Sequence, residues 1–324
     1  MSGRLDRREF LGTTVAAGVG AVVLGQGVAQ AAESGGKSVV VKVVRDNATA
    51  DKKVNAAVVR EMVHAAVCKL SGKAKPEEAW ACYVKPTDVV AIKINCLFGI
   101  GACTHPEVTA AVAEGCQMAG VPADKIFVWD RATKDLEKSG YKMNSGPGVK
   151  YVANDGVWED EPTEFAGIKG KFAKILTKEC TALINVPVLK THVIAGMTMA
   201  LKNHYGSFHN PKDAHPNGCD PFIAELNALP FIKNKTRLIV ADALAPVAEG
   251  GPQAKPQFTL EYNAILASTD PVAIDAVGVT ILEEQRAKLK LPTLASTGKV
   301  KCLATAAAKG LGVADMSKID LVTV

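Results

Sequence analysis

Apolar positions along the chain recur with two periods, and the switching between them carries the fold. Residues 39–44 are a short β-branched run suited to a buried strand. Val59, Met62, Val63, Ala66, Val67 and Leu70 then repeat at helical spacing, which predicts a helix over roughly 53–70. Residues 88–94 read as a second strand. Thr104-His105-Pro106-Glu107 reads as a capping box with proline in the first turn, opening a helix to about residue 119. Residues 125–129 form a further strand ending at Asp130-Arg131, with a short helix after it. The pattern resumes at 182–188, a nearly continuous apolar strand. Its Pro187 predicts an edge position or departure from the sheet. Residues 194–201 read as helical, and 237–241 and 263–267 as strands. Thr269-Asp270-Pro271 reads as the cap of a helix to about Lys288. This β-α-β-α rhythm predicts an α/β fold: a mostly parallel or mixed central sheet with helices on both faces, in one large domain with loop excursions.

The first 31 residues stand apart from that rhythm. Arg7-Arg8-Glu9-Phe10-Leu11 is a twin-arginine core ahead of an apolar stretch over 15–28, and Ala29-Gln30-Ala31 supplies an A-x-A cleavage site. The expectation is a signal peptide over 1–31, the twin-arginine translocase as a partner, and a periplasmic or otherwise exported domain over 32–324. The apolar stretch is shorter than the roughly 20 residues a span needs, which argues against a membrane anchor, and no segment over 32–324 reaches that length, so no stable membrane span is expected after cleavage. Residues 142–180, with Gly-Pro turns and the acidic run Glu159-Asp160-Glu161, read as an irregular excursion. Residues 203–221 read as a long polar loop. The net charge of +5 is spread along the chain, which argues against nucleic acid as a partner.

Eight cysteines occur without a CxxC or a familiar zinc or ferredoxin spacing. Cys68, Cys116 and Cys302 sit in helical patterns as packing residues, and Cys82 reads the same way. Cys96, Cys103, Cys180 and Cys219 lie in loops or at element ends, where chemistry can occur. A disulfide between Cys96 and Cys103 is one alternative for the first pair.

Ligands of an open parallel sheet sit at the carboxyl ends of its strands. Following each strand to its end gives Asn95-Cys96, Asp130-Arg131, Lys190-Thr191-His192, Asp242 and Ser268-Thr269-Asp270. Each aspartate taken singly is a helix cap or turn former. Gly99-x-Gly101 before a capped helix could hold an anion on backbone N–H groups. It is not a dinucleotide fingerprint, because residue 104 is threonine. Of the histidines, His64 reads as structural. His204, His209 and His215 fall with Cys219 and two aspartates in a single 18-residue segment, the residue types that ligate zinc, iron or iron–sulfur clusters. The spacing names no metal, and a hydrogen-bonded polar loop is the bland alternative.

At Ile92-Lys93-Ile94-Asn95-Cys96, Thr104-His105-Pro106-Glu107, residues 182–190 with His192, Ala200-Leu201-Lys202-Asn203 and Tyr205-Gly206, the sequence resembles the family catalogued as domain of unknown function 362, in its twin-arginine-exported branch. His209-Asn210-Pro211, Cys219-Asp220-Pro221 and Asp270-Pro271-Val272-Ala273 match as well. The resemblance covers residues 39–324. It implies association with iron–sulfur redox proteins, many of which carry an appended ferredoxin-type cysteine cluster. That cluster is missing here, so a bound centre has to come from the core. The cofactor-binding set is then Cys96, Cys180, Cys219, Lys190 and Lys202, and the metal-ligating set His192, His209, His215 and Cys219. In a parallel sheet Cys96 follows its strand and Cys180 precedes the next. At about 3.3 Å per residue those ends are roughly 20 Å apart, which counts against Cys180.

The resulting expectation is an exported periplasmic redox protein holding an iron–sulfur cluster, or a mononuclear zinc or iron. A periplasmic electron-transfer partner would go with it, and Lys190, Lys202 and Arg131 would supply positive charge. Two alternatives stay open: a metal-dependent hydrolase or isomerase, and a non-catalytic protein binding a small anion near residues 99–104.

Overall fold

Residues 37–324 are described by the structure, a computed structural model, and the signal peptide expected over 1–31 lies outside the described residues. The first β-branched run forms β1 (Ser38–Val44), and a small hairpin of β2 (Thr49–Ala50) and β3 (Lys53–Val54) leads into α1 (Ala56–Ser71). After α2 (Pro76–Trp80) come β4 (Val90–Lys93), α3 (Pro106–Met118), β5 (Ile126–Asp130) and α4 (Thr133–Lys138). The irregular stretch supplies β6 (Lys150–Ala153) and a hairpin of β7 (Thr163–Phe165) and β8 (Ile168–Gly170). Then follow β9 (Ala182–Asn185), β10 (Val188–His192), β11 (Gly196–Thr198) and α5 (Ala200–Asn203). The chain closes with α6 (Phe222–Ala228), α7 (Pro230–Lys233), β12 (Thr236–Val247), β13 (Ala264–Ser268), α8 (Pro271–Lys288), α9 (Cys302–Ala308) and β14 (Ile319–Thr323).

Ten of these strands make one mixed, mostly parallel sheet in the order β14-β1-β13-β12-β9-β4-β5-β6, with β10 and β11 alongside β12. β13 runs antiparallel to both of its neighbours, and β11 antiparallel to β10. The period-2 pattern of β4 shows how the sheet is covered. Val90, Ile92 and Ile94 pack into the layer of α1, α2 and α3, with Val59, Trp80 and Val108. Ala91 faces the opposite layer with Trp129, Leu201 of α5, Ile223 of α6 and Val272 of α8. The chain is a single α/β domain with helices on both faces.

Several local expectations are corrected. The apolar run 182–188 is two strands. Pro187 has no N–H to give to a ladder, and its carbonyl accepts from Asp242 N (2.8 Å) as the chain steps sideways along β12. β9 therefore pairs with the first residues of β12 and β10 with its last, both in parallel. β9 is not an edge strand and the chain does not leave the sheet after Pro187, so the expectation of an edge or a departure is corrected to a sideways step between two strands of one sheet. Residues 194–201 are not a helix; they turn into β11 and reach α5 only at Ala200. Thr104 is not the cap of α3. Its hydroxyl donates to Val186 O (2.8 Å) and accepts from Asn95 N (3.1 Å), while His105 occupies the cap position. Because β13 is antiparallel, Ser268-Thr269-Asp270 leaves from the end away from the other strand termini. Asp270 there accepts from Val272 N and Ala273 N and caps α8. Cys96 and Cys103 are both free thiols, so the disulfide alternative is not realised.

Candidate functional site

The parallel strands deliver their carboxyl ends to one cavity of about 100 Å³. Lys93 ends β4 and Asp130 ends β5, with Arg131 next. Lys190 and His192 come from β10, Lys202 and Asn203 from α5, and Tyr205 and His215 from the polar segment beyond. Four cations line the space (Lys93, Arg131, Lys190 and Lys202) against two carboxylates, Asp130 and Asp135.

The cations are held in four different ways. Lys93, 1% exposed, donates to Asp130 Oδ1 (2.8 Å), and the other oxygen of Asp130 takes the N–H of Cys96 (2.6 Å). That pair is closed on itself. Arg131 Nη2 donates to His209 O (2.9 Å). Lys190 Nζ donates to Asn95 Oδ1 (2.9 Å), Ala102 O and Leu97 O (3.4 Å), so its three protons are spent on neutral oxygens. Lys202 Nζ lies 3.5 Å from the Tyr205 ring centroid and 3.5 Å from His215 Nε2. Burial lowers the pKa of Lys190 and of Lys202 to about 8. Among the described residues neither forms an ion pair with a carboxylate. Burial, and next the charge of Asp130, raises the Asp135 carboxyl above its ordinary value.

The imidazoles are committed by their tautomers. His192 Nδ1 accepts from Ile194 N (3.1 Å) and Ala195 N (3.2 Å), which puts its proton on Nε2. Burial and the Lys202 charge then hold its pKa down to about 2. His209 Nδ1 accepts from Lys171 N (3.0 Å), and its ring stands edge-on to Trp158. His215 Nδ1 donates to Pro211 O (2.7 Å), leaving the Nε2 lone pair towards Lys202. The rings of His192 and His215 stack with centroids 5.6 Å apart, whereas His209 serves the Lys171 backbone instead.

The thiols do not share a site. Cys96 is buried beside Asp130 and Ser139, and Cys180 sits before β9, near Lys235 and at the amino end of the sheet. β4 and β9 pair in parallel, Val90 opposite Ala182, so those two sulfurs belong to opposite ends of the strands. Cys219 lies with Tyr205 and Lys202. Burial raises the pKa of all three, which favours neutral thiols over the thiolates a metal needs. Among the described residues no three His, Cys, Asp or Glu side chains converge as a metal ion requires. The residues present therefore do not fit a cluster held jointly by Cys96, Cys180 and Cys219. Nor do they fit a metal on His192, His209, His215 and Cys219. The loop over 99–104 also differs from an anion cradle. The amides of Gly99, Ile100, Ala102 and Thr104 all bond to protein carbonyls, and the loop offers its Ala102 carbonyl to Lys190.

Residues to which the sequence reading gave no role do much of the positioning. A buried amide chain runs from Lys190 through Asn95, Asn203 and Asn185 to Ala200 O. Asn95 Nδ2 donates to Asn203 Oδ1, Asn203 Nδ2 to Asn185 Oδ1 (2.7 Å), and Asn185 Nδ2 to Ala200 O (2.8 Å). Asp275 of α8 accepts from Ala200 N (2.7 Å) and Leu201 N (3.1 Å), capping α5 from outside and fixing Lys202. Asn185, like Asn95, follows an apolar run as a polar residue at the end of a buried strand; that signal found Asn95 and could have found Asn185. Nothing local to Asp275 marks it. Elsewhere Asp242, fully buried, accepts from both N and Nδ1 of His105 (2.8 and 2.7 Å). Burial opposes the imidazolium there, but the Asp242 charge outweighs it and the His105 pKa rises.

Comparison with known proteins adds the following. A family model described as Domain of unknown function (DUF362) matches residues 90–280, which spans β4 to most of α8 and so includes the cavity. The chain is similar to the Thylakoid-associated protein sll1697 of Synechocystis sp., 28% identical over 244 residues, covering 69% of this chain and 72% of that protein. Among solved structures, a protein from Thermotoga maritima superposes with a TM-score of 0.43 at 10% identity, over 75% of this chain and 61% of its own. The lactate racemase apoprotein from Thermoanaerobacterium thermosaccharolyticum gives 0.38 at 10% identity, over 74% and 55%. The chain thus spans less than two thirds of the length of either solved protein.

Proposed function

The chain belongs to the DUF362 family, and on that premise we propose that it binds a small carboxylate- or phosphate-type anion in the cavity at the carboxyl edge of its sheet. One observation carries this reading. Lys190 and Lys202 are both buried, face the same space, and have no carboxylate partner among the described residues. A buried ammonium without a counter-charge is costly, and an anion entering the cavity removes that cost for two of them at once. Arg131 adds a third positive group at the wall. Asp130 makes its direct ion pair with Lys93 and with neither of these two lysines.

Titration calorimetry with oxalate and with inorganic phosphate tests it. Saturable binding of at least one is expected, and Lys190→Met is expected to weaken it about 100-fold, since removing one charge of a desolvated pair costs about 2–5 kcal/mol. Binding of neither anion, or a Lys190→Met affinity within twofold of the parent, would overturn the reading.

We also propose that the chain works in the periplasm, delivered by the twin-arginine translocase. The support is the Arg7-Arg8 core, the apolar stretch over 15–28 and the Ala29-Gln30-Ala31 site. Changing Arg7 and Arg8 to lysine should leave uncleaved precursor in the cytoplasm on fractionation. Unaltered export of that variant would count against the route.

A further inference from the structure

We propose that Lys202 is a nucleophilic amine that condenses with the carbonyl carbon of a small 2-oxo carboxylate whose carboxylate lies against Lys190 and Arg131. This rests on the anion reading above and narrows it to one ligand class.

The four cations of the cavity differ in what their protons do. Lys93 is closed in its pair with Asp130, Arg131 holds the His209 carbonyl, and Lys190 is fixed by three oxygens. Among the described residues of the wall, Lys202 alone of the four has no oxygen acceptor. Its neighbours are an aromatic face and an imidazole nitrogen. The Nδ1 proton of His215 is tied to Pro211 O, so Nε2 offers a lone pair to the ammonium at 3.5 Å. The ammonium can therefore give up a proton locally, and losing it breaks no salt bridge. The backbone behind it does not yield, because Asp275 caps α5 and Asn203 is tied to Asn95 and Asn185. Such an amine is placed as a positioned nucleophile, while Lys190 is placed as a fixed charge.

Burial also brings Lys202 to about 8, which leaves roughly a tenth of it neutral at pH 7. In the step, the neutral amine nitrogen adds to the carbonyl carbon and the C=O electron pair moves to oxygen. Protons passed from nitrogen, with His215 Nε2 as carrier, convert that oxygen to water. Water leaves as the C=N bond forms. One amine and one carbonyl give one imine and one water, and no oxidant or reductant takes part.

The test uses the full chain with glyoxylate as probe and sodium borohydride to trap the imine as a secondary amine. Intact-mass measurement and peptide mapping locate the product, and calorimetry with oxalate, which has no electrophilic carbonyl, runs beside it. The expected result is one adduct per chain on the peptide carrying Lys202, suppressed by saturating oxalate. It should be lost in Lys202→Arg, with cooperative unfolding showing that the variant is folded. Oxalate binding without an adduct at Lys202 would overturn the amine proposal and leave the anion reading standing. Adducts spread over surface lysines would overturn it too. If neither oxalate nor inorganic phosphate binds and no adduct forms at Lys202, both fail together.

Discussion

Replacing Asp130 by alanine is expected to lower the stability of the folded chain by about 3–5 kcal/mol, the usual result of removing one partner of a buried ion pair. Lys93 would be left as an ammonium that is 1% exposed, with only Ile94 O as an acceptor. Cys96 N would lose its acceptor as well. The space cannot simply refill. Gly206 packs so closely that a Cβ there would come within 2.8 Å of Asp130 Oδ1 and 2.9 Å of Lys93 Nζ, so the pair and this glycine define one wall of the cavity. Urea unfolding measures the effect. The double variant Lys93→Met/Asp130→Ala should recover much of the loss, because the uncompensated charge goes with the lysine. A single-variant loss below about 1 kcal/mol would mean that the Lys93 ammonium finds another partner.

The second large effect sets affinity against stability. Lys190 and Lys202 have folded pKa values of about 8, below the ordinary 10.5 of a lysine. Between those values the unfolded chain carries more protons than the folded one. The contribution of these lysines to folding stability therefore rises with pH across that window, and below about pH 8 both charges weigh against the fold. Anion affinity moves the other way, falling at least tenfold from pH 7 to pH 10 as the two ammoniums are lost. Lys190→Met/Lys202→Met should accordingly be more stable than the parent at pH 7 and bind no oxalate. Calorimetry across pH and urea unfolding of the ligand-free protein read the two halves separately. A double variant less stable than the parent, or an affinity flat with pH, would show that these amines are not the charged wall of the site.

How much was legible in the residues follows the range of the forces involved. β1, α1, β5 and α8 stand close to where their patterns put them, because burying one face of an element leaves a period that neighbouring residues display. The placing of Asn95, Asp130, Arg131, Lys190 and His192 at one edge also came from reading strand ends. Pro187 showed that the strand 182–188 would be disturbed, but not that its second half would move along β12.

Pairing was not legible. Lys190 meets Asn95 across 95 positions, and Asp242 meets His105 across 137. The histidine-rich segment drew attention by residue type alone. Its rings were settled by which nitrogen faces which backbone group: His209 meets Lys171 N across 38 positions, whereas His215 meets Pro211 O within its own turn.

By itself, the sequence determined an α/β chain with alternating strands and helices and a charged strand edge. These are statements about local period and residue type, which each segment carries within its own length. Only the tertiary structure decided that β13 runs backwards and takes Asp270 away from the edge. It also decided that Lys190 and Lys202 share a cavity in which, among the described residues, neither is paired with a carboxylate. The physical reason is that a side chain's charge and tautomer answer to groups within a few ångströms, and folding chooses those groups from anywhere in the chain.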